Sequence, residues 1–458
     1  MYFLYSFLLT LGVVALLPRF VWDAFRHGKY VAGLGERLGR LPAIETGGRP
    51  VVWLHCVSVG ETQAARPLAR AILERFPSHA LVVSTTTATG QRVAREVFRD
   101  DAAAVIYFPF DWAWAVRRSL RKVNPSAALI METELWPNFL RECRRRGVPA
   151  AVVNGRLSEK SFRRYRLARR FTKRIVNELT LALMQTDADA ERMRALGLAP
   201  ERVFVSGNVK FDGGDNDGDG RQLTESLRAR FRLDGARPLV VAASTHAPEE
   251  RIVLDAFKQL RSTQGNNQAR LLIAPRHPER FGEVAALLDA SGLRWSRRSE
   301  AQSQRDTDCD ALLLDSIGEL RAVYSLAEIV FVGGSVAPNG GHNILEPAAA
   351  GVCTVTGAHT FNFKAVVEAF LEAGALVQLP ALSESEAPAA LANVLGGLLA
   401  DGGRRGILGQ RAREVLEQNR GATARTVELL AKLFASPSDP AARPETKGAR
   451  EAATRVSA

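Results

Sequence analysis

One carboxylate follows a predicted strand at the position where α/β proteins commonly bind their ligands. Glu61 comes after the apolar run Val51 to Val57 and a Ser-Val-Gly turn, in the first turn of the next predicted helix. Ligands of open α/β sheets bind at the carboxyl ends of the strands, where a carboxylate shielded from water can act as a general base. The spacing Ser58-x-x-Glu61 also defines a capping box, in which the glutamate bonds to the backbone. This run alone favours the cap and leaves the base open.

Charged side chains follow two further apolar runs in the first half of the chain. Glu132 and Glu134 come after the run that ends at Met131. One of them is expected to cap the next helix, and a carboxylate near Glu61 would raise the pKa of Glu61 or stabilise a developing cation. Lys210 is placed to neutralise a phosphate leaving group; the alternative is a solvated surface lysine. With Glu61, these residues are the candidate catalytic groups.

The densest signal lies in the second half of the chain, in the Gly-rich stretch Gly333 to Pro347. Its glycines would free backbone amides for close approach of a phosphate, and a helix beginning near Asn343 would direct its positive end to the same place. Glu346 would accept two ribose hydroxyls. Arg276, after another strand-like run, could pair with phosphate or stack on a base. The pattern favours a nucleotide site over the alternative, a long Gly-rich loop with its own cap.

Histidines and cysteines are placed without a metal-binding pattern. Five of the seven histidines fall at predicted strand ends: His55, His246, His277, His342 and His359. No His-x-His or Glu-x-x-His pairing is present, so the sequence predicts no metal and no cofactor. The four cysteines have no CxxC spacing, which fits a reducing compartment.

Strand-like and helical runs alternate from about residue 50, and a second such series begins near residue 237. This alternation predicts an α/β fold of the doubly wound type, with two Rossmann-like domains facing a cleft. The predicted divisions are an N-terminal membrane anchor (1–22), a first Rossmann-like domain (23–211), a linker (212–222), a second Rossmann-like domain (223–436) and a disordered tail (437–458).

Charge and hydropathy indicate contact with an acidic partner and with a membrane. The net charge of +12 favours nucleic acid, an anionic membrane surface or phosphorylated substrates. Met1 to Pro18 has no charged residue and is followed by basic residues, which predicts an N-terminal anchor with the remaining chain in the cytoplasm. A buried core helix and a helix lying on the bilayer are the alternatives. The Arg-rich run 163–174 would face lipid phosphates or be a solvated helix face.

The motifs as a set resemble the Kdo transferases of lipopolysaccharide assembly, which are inverting glycosyltransferases with two Rossmann-like domains (GT-B type). The resemblance extends from the N-terminus to about residue 430. It rests on seven motifs: residues 55–61, 131–138, 210–212, 244–246, 275–280, 340–343 and 359–364. It implies transfer of Kdo from CMP-Kdo to the lipid A precursor (lipid IVA), with release of CMP, at the cytoplasmic face of the inner membrane and without a nucleic-acid partner.

The resemblance also implies roles for individual residues. Glu61 matches the family's general base, and Glu132 and Lys210 match residues that stabilise the transition state. The segments that match the CMP-binding residues are Pro275, Arg276, Ile317, Gly318, Glu319, Asn343, Ile344, Leu345 and Glu346. Further candidates for acceptor or donor contact are Ser58, Gly60, Gly341 and His342. Two alternatives remain: another GT-B-type enzyme, either a UDP-sugar transferase or an epimerase, and a non-enzymatic protein that binds the membrane surface.

Overall fold

The computed structural model describes residues 1–27, 33–212, 219–262 and 268–434. The chain forms two compact units: unit 1 contains Met1–Lys210 and the described residues from Gly421 onward, and unit 2 is Phe211–Arg420. The predicted tail lies outside the described residues, as does most of the predicted linker. The end of that linker, from Asp219, is helical.

Within the described part of unit 1, seven parallel strands form one sheet. They are β1 (Val51–His55), β2 (Ala80–Thr85), β3 (Ala102–Tyr107), β4 (Pro125–Met131), β5 (Ala150–Gly155), β6 (Leu181–Met184) and β7 (Val203–Val205). Their order across the sheet is β3-β2-β1-β4-β5-β6-β7. The chain order reverses between β1 and β4, so the topological switch point, where ligands of such sheets bind, lies between the carboxyl ends of these two strands.

Helices cover both faces of this sheet. They are α1 (Tyr2–His27), α2 (Leu34–Arg37), α3 (Val59–Arg75), α4 (Ala88–Val97), α5 (Ala113–Val123), α6 (Pro137–Arg145), α7 (Glu159–Leu167), α8 (Arg169–Val176) and α9 (Asp187–Ala195). Along β1, Val51 and Trp53 belong to the core on one face, and Val52 and Leu54 to the core on the other. Burial on both faces explains why these strands read as continuous apolar runs.

The described part of unit 2 repeats the architecture with a second sheet of seven parallel strands. They are β8 (Leu239–Thr245), β9 (Arg270–Pro275), β10 (Trp295–Arg297), β11 (Ala311–Leu313), β12 (Ile329–Val332), β13 (Cys353–Thr356) and β14 (Val377–Gln378). Their order is β10-β11-β9-β8-β12-β13-β14, which places the switch point between β8 and β12. The two edge strands, β10 and β14, are too short to give a periodic signal, and the sequence did not predict them.

The helices of unit 2 again flank the sheet. They are α10 (Asp219–Phe231), α11 (Glu249–Ser262), α12 (Phe281–Asp289), α13 (Arg305–Asp308), α14 (Leu320–Tyr324), α15 (Leu345–Ala349), α16 (Lys364–Glu372), α17 (Ala387–Ala400) and α18 (Gly402–Asn419). The doubly wound α/β fold predicted from the sequence is therefore present in both units.

The last described helix, α19 (Ala422–Phe434), belongs to unit 1. Its buried residues Ala422, Val427 and Leu430 join the core on the α3 side of the first sheet. The sequence-based boundary, which kept residues up to 436 in the second domain, differs from this arrangement. The physical reason is that the apolar stripe of α19 is buried against the residues of α3.

The uncharged N-terminal stretch is helical and forms the first part of α1. Among the residues that the structure describes, no helix combines the length and the hydropathy needed to cross a membrane. The anchor predicted for residues 1–22 is not confirmed by this finding and stays a prediction.

Candidate active site

The candidate catalytic residues of unit 1 flank its switch point. Glu61 lies in the first turn of α3, directly after β1, and Glu132 immediately follows β4. These are the two strands between which the chain order reverses. The structure therefore brings together two carboxylates that are 71 residues apart in the sequence, at the edge where ligands of such sheets bind.

The capping box predicted around Glu61 is formed. Ser58 is the N-cap of α3, and its Oγ accepts a hydrogen bond from the Glu61 amide at 3.2 Å. In return, Glu61 Oε1 accepts from Ser58 Oγ at 2.9 Å, and Oε2 accepts from the Val57 amide at 2.8 Å. Gly60, another predicted contact residue, is exposed in the same turn. Both carboxylate oxygens thus take part in the cap.

Electrostatics nevertheless keep this carboxyl close to its protonation midpoint at neutral pH. Burial, together with the charges of Glu132 and Glu134, raises the pKa of Glu61 to about 7, against the lowering effect of the Val57 and Ser58 hydrogen bonds. Only 7% of the residue is exposed. A carboxyl group with this pKa can accept a proton at physiological pH, so the cap and the base are compatible.

Glu132 adopts a strained backbone conformation beside a lysine. Its φ is +54°, in the left-handed region that non-glycine residues rarely adopt and that often marks functional sites. Its carboxylate lies 3.5 Å from Lys210 Nζ. Burial, followed by the charge of Glu132, raises the pKa of Glu134. All three predicted catalytic residues are therefore in one unit, and Lys210 is ion-paired instead of solvated.

Asn154 holds the backbone next to Lys210, and it is not among the site residues predicted from the sequence. It lies near the end of β5 with a φ of +53°, and its Oδ1 accepts a hydrogen bond from the Val209 amide at 3.1 Å. Its Nδ2 is buried and has no hydrogen-bond partner within the described part of the chain. An asparagine that ends an apolar run, just before a glycine, is the signal that would have indicated this residue.

In unit 2, a buried glutamate organises the glycine loop, residues 333–341, that follows β12. Glu249, in the first turn of α11, is completely buried. It accepts five backbone N–H groups, from His246 (3.1 Å), Gly334 (2.6 Å), Ser335 (2.9 Å), Val336 (2.8 Å) and Ala337 (3.3 Å). The expectation that these loop amides are free for a phosphate is wrong for residues 334–337, because a carboxylate of the chain itself binds them.

The predicted nucleotide-binding segments follow neighbouring strands of the second sheet. Pro275 and Arg276 are at the end of β9, residues 317–319 come after β11, and residues 343–346 come after β12. Because β11, β9, β8 and β12 are consecutive in the sheet, these segments share its carboxyl edge. The structure thus confirms the common edge on which the prediction depended.

These predicted residues differ in what they leave available to a ligand. Ile317 is 82% exposed and Arg276 is exposed. The carboxylate of Glu319 is held by Arg298 through two hydrogen bonds, of 2.8 and 2.9 Å. Ile344 and Leu345 are core residues of unit 2, so only their backbones can face a ligand.

The start of α15 is organised by its own side chains. Asn343 Oδ1 accepts from the Leu345 amide at 3.0 Å, and Asn343 Nδ2 donates to Glu346 at 3.2 Å. Gly341, with a φ of +73°, donates its amide to the Gly334 carbonyl at 2.6 Å. The loop is therefore held in place at both of its ends.

Three histidines meet at the switch point of unit 2. His246 follows β8, and His342 follows the glycine loop; their Nε2 atoms are 2.7 Å apart, and their rings are stacked with centroids at 5.0 Å. The ring of His277, after β9, lies 5.1 Å from that of His246. Within the described ranges, no three His, Cys, Asp or Glu side chains form a group that could hold a metal ion.

Comparison with solved structures defines the class of fold. A putative UDP-N-acetylglucosamine 2-epimerase from Listeria monocytogenes is 15% identical to this chain and superposes with a TM-score of 0.52, covering 87% of this chain and 99% of the other. At this identity the likeness shows the fold alone. It is the two-domain, Rossmann-like architecture of the GT-B type.

Comparison of sequences defines the family. The model of the 3-deoxy-D-manno-octulosonic-acid transferase (kdotransferase) family matches residues 32–213. The 3-deoxy-D-manno-octulosonic acid transferase of Bordetella pertussis is 36% identical, covering 92% of this chain and 96% of its own. The enzyme of that name from Haemophilus influenzae is 34% identical, covering 88% and 91%. The chain belongs to this family, and its members are glycosyltransferases.

Because Glu249 binds the backbone amides of the glycine loop, the substitution Glu249→Gln should strongly reduce stability. The glutamine would keep one accepting oxygen but replace the other with an NH2 group, which cannot accept, among buried N–H donors, so the variant should lose about 3 kcal/mol of stability. In hydrogen-exchange mass spectrometry, the amides of residues 334–337 should exchange faster than in the unchanged protein. Glu368→Gln, at an exposed ion pair of the same unit, should change stability by less than about 0.5 kcal/mol. Unchanged hydrogen exchange at residues 334–337 would contradict the role of Glu249 in holding the loop.

Proposed function

We propose that this protein transfers Kdo from CMP-Kdo to the lipid A precursor (lipid IVA), inverts the anomeric centre and releases CMP. Membership of the Kdo transferase family supports the reaction class. The observation that carries the mechanism is the arrangement at the switch point of unit 1, where a buried carboxyl with a pKa of about 7 lies near an ion-paired carboxylate and lysine. This arrangement supplies a base and a cation without a metal ion.

In this mechanism, Glu61 removes the proton from a sugar hydroxyl of the acceptor. The hydroxyl oxygen attacks the anomeric carbon of Kdo from the face opposite the phosphate, and the bond to CMP breaks as the new glycosidic bond forms. The negative charge that develops on the departing phosphate is stabilised by Lys210. Glu132 holds Lys210 in place and raises the pKa of Glu61.

Unit 2 is proposed to bind the CMP part of the donor. Arg276 is exposed at the end of β9 and offers a planar cation that can bond to phosphate or stack on the base. Ile317 offers an exposed apolar side chain for the face of the base, and Glu346 offers a carboxylate for the ribose hydroxyls. Asn343 orients Glu346 through their hydrogen bond.

The helix α1 is proposed to bind the surface of the inner membrane from the cytoplasmic side. Three polar side chains near its N-terminus bond to the rest of unit 1: Tyr2 donates to Glu178 at 2.7 Å, and Ser6 and Thr10 accept from other side chains of the unit. The opposite face exposes apolar side chains, namely Phe3, Leu4, Phe7, Leu8, Leu11, Val14 and Leu16. An exposed apolar stripe of this kind is typical of a helix that lies in a bilayer surface.

Basic side chains adjoin this stripe and complement an anionic bilayer. Phe171 of α8 packs against Tyr2 and Tyr5 of α1, with ring centroids at 6.4 and 5.9 Å. The seven basic residues of the run 163–174, all exposed, are carried by α7 and α8. Each cation near an anionic surface contributes about 1 kcal/mol of binding free energy. The acceptor is a phosphorylated lipid, so the same surface would hold the enzyme beside its substrate.

The pKa of Glu61 predicts the pH dependence of the transfer. The base acts when deprotonated, so kcat/KM should rise with pH up to an acid-limb pKa of about 7. The contribution of Glu61 to stability has the opposite sign, since the folded pKa exceeds 4.5: it declines as pH rises from about 4.5 to 7.

Glu61→Gln should lower the rate by about 10² to 10⁴ and leave CMP binding unchanged. Formation of the lipid product from CMP-Kdo and lipid IVA, followed by mass spectrometry, measures the rate. Glu74→Gln, at an exposed position of α3, is the matched control and should remain active. Full activity of Glu61→Gln, or thermal stabilisation by UDP and not by CMP, would favour another nucleotide-sugar enzyme.

The neighbouring carboxylates predict graded shifts of the acid limb. Glu132→Gln removes the charge that, after burial, contributes most to raising the pKa of Glu61, so the limb should move to lower pH. Glu134→Gln should move it in the same direction by less, because Glu134 has the smaller influence. The measurement is the pH of the acid limb in the profile of kcat/KM. The maximal rate is not used, because Glu132→Gln also removes the ion pair with Lys210 and so changes that rate. An acid limb at the same pH in Glu132→Gln would show that the charge of Glu132 does not affect the pKa of the catalytic base.

The membrane proposal predicts weaker binding when the apolar stripe becomes polar. The double variant Phe7→Ser, Leu11→Ser should bind vesicles containing phosphatidylglycerol at least about tenfold more weakly in sedimentation, because each buried apolar side chain contributes about 1.5–3 kcal/mol. Ile407→Ser removes an exposed apolar side chain of unit 2 and should bind like the unchanged protein. Equal binding of the double variant would exclude α1 as the membrane-binding element.

A further inference from the structure

The pair formed by His246 and His342 has a chemistry that the transfer mechanism does not use. Their Nε2 atoms are 2.7 Å apart, a hydrogen-bond distance. One imidazole must donate and the other accept, so only one proton can lie between the two nitrogens. The contact therefore requires that at least one of the two rings is neutral.

Burial, reinforced by nearby basic groups, favours the neutral form of both rings when no ligand is bound. Burial is the largest cause and lowers the pKa of His246 to about 4 and that of His342 to about 3. The charged groups that reinforce this effect are all basic: His277 and Arg276 act on both rings, and Arg280 acts on His246. The unliganded pair thus lies uncharged in a basic environment.

The two acidic residues at the start of α11 are bound to other partners and not to the histidine rings. The carboxylate of Glu249 binds the backbone amides of the glycine loop and of His246. Glu250 is buried and accepts from Arg280 at 3.0 Å. Arg280 is thus paired with Glu250, whereas Arg276 and His277 have no carboxylate partner among the described residues. Unmatched basic groups attract an anion, and an anion beside the pair would favour its protonated form.

The absence of a side chain at Gly334 allows the pair to form. Gly334 has a φ of +66°, and a Cβ there would lie 2.8 Å from His342 Cδ2 and 2.9 Å from His342 Nε2. The glycine loop, which Glu249 holds, therefore leaves space for the two rings at the switch point between β8 and β12. That position is where sheets of this type bind ligands.

We propose that the histidine pair is a binding site for an oxyanion and takes up one proton when the anion binds. The proton converts one ring into an imidazolium, which then donates a charge-assisted hydrogen bond to the anion. The chemical class of ligand is a phosphate diester or a sugar carboxylate. The identification of this ligand with CMP-Kdo, which carries both groups, rests on the proposed function. A nucleotide sugar without a carboxylate would offer the histidine pair only its phosphate.

Proton uptake can be measured directly by titration calorimetry of the whole protein in two cationic buffers of different ionisation enthalpy. The probes are CMP-Kdo, free Kdo and sodium sulfate, which have no group that titrates between pH 6 and 8. Binding should take up a proton, and the association constant should rise by up to about tenfold for each unit of pH decrease. Uptake with free Kdo indicates the carboxylate as ligand, and uptake with CMP-Kdo and sulfate alone indicates the phosphate.

Variants test the assignment to these residues. His342→Asn and His246→Gln should each abolish proton uptake and the pH dependence of binding, with circular dichroism as the check of folding. His79→Gln removes a histidine of unit 1 and should leave both unchanged. Proton uptake that persists in both His342→Asn and His246→Gln would overturn the proposal. If these variants do not fold, the calorimetry of the unchanged protein is the test.

The outcomes also separate this proposal from the proposed function. If CMP-Kdo binds with a pH-independent affinity and no proton uptake, the histidine site is wrong and the transferase function stands. If CMP-Kdo does not bind but sulfate or free Kdo binds with proton uptake, the site stands and the function is wrong. If no probe produces proton uptake, the site is overturned.

Discussion

The reversal of strand order within each parallel sheet is the constraint on which both candidate sites depend. The strands are buried on both faces, so their interiors are mostly apolar, and most charged groups follow at their ends. Where the order reverses, the connections leave the two central strands towards opposite faces and open a crevice between the strand ends. Glu61 and Glu132 flank this position in unit 1, and His246 and the glycine loop flank it in unit 2.

In each unit a glutamate in the first turn of a helix bonds to the residue three positions before it: Glu61 to Ser58 in unit 1 and Glu249 to His246 in unit 2. The two glutamates nevertheless differ in what they do. Glu61 accepts one backbone amide and one hydroxyl, and the nearby carboxylates keep its pKa at about 7. Glu249 accepts five backbone amides and serves to shape a loop. The number of hydrogen-bond donors thus distinguishes a carboxylate at a candidate catalytic position from one whose oxygens are used to shape a loop.

The features that could be predicted from the sequence are those encoded in short segments. Central strands were recognised because they are continuous apolar runs, and Glu61, Glu132 and Lys210 because they follow such runs or precede a polar stretch. The residues that were missed act through distant partners: Glu249 bonds to a loop 85 or more residues away, and Asn154 bonds to the Val209 amide, 55 residues away. The return of α19 to unit 1 was missed for the same reason, since its apolar stripe does not indicate which core buries it.

Like charges have parallel effects on the two sites. In unit 1, carboxylates near Glu61 make its protonated form more stable, so a substantial fraction of this carboxyl is still protonated near neutral pH. In unit 2, cations near the histidine pair make its unprotonated form more stable, so neutral rings are maintained in the same range. In both cases burial is the largest cause and like charge adds to it, and both effects stabilise the uncharged form. A change of charge at either site is therefore most favourable when a ligand supplies the opposite charge, which couples proton transfer to occupancy of the site.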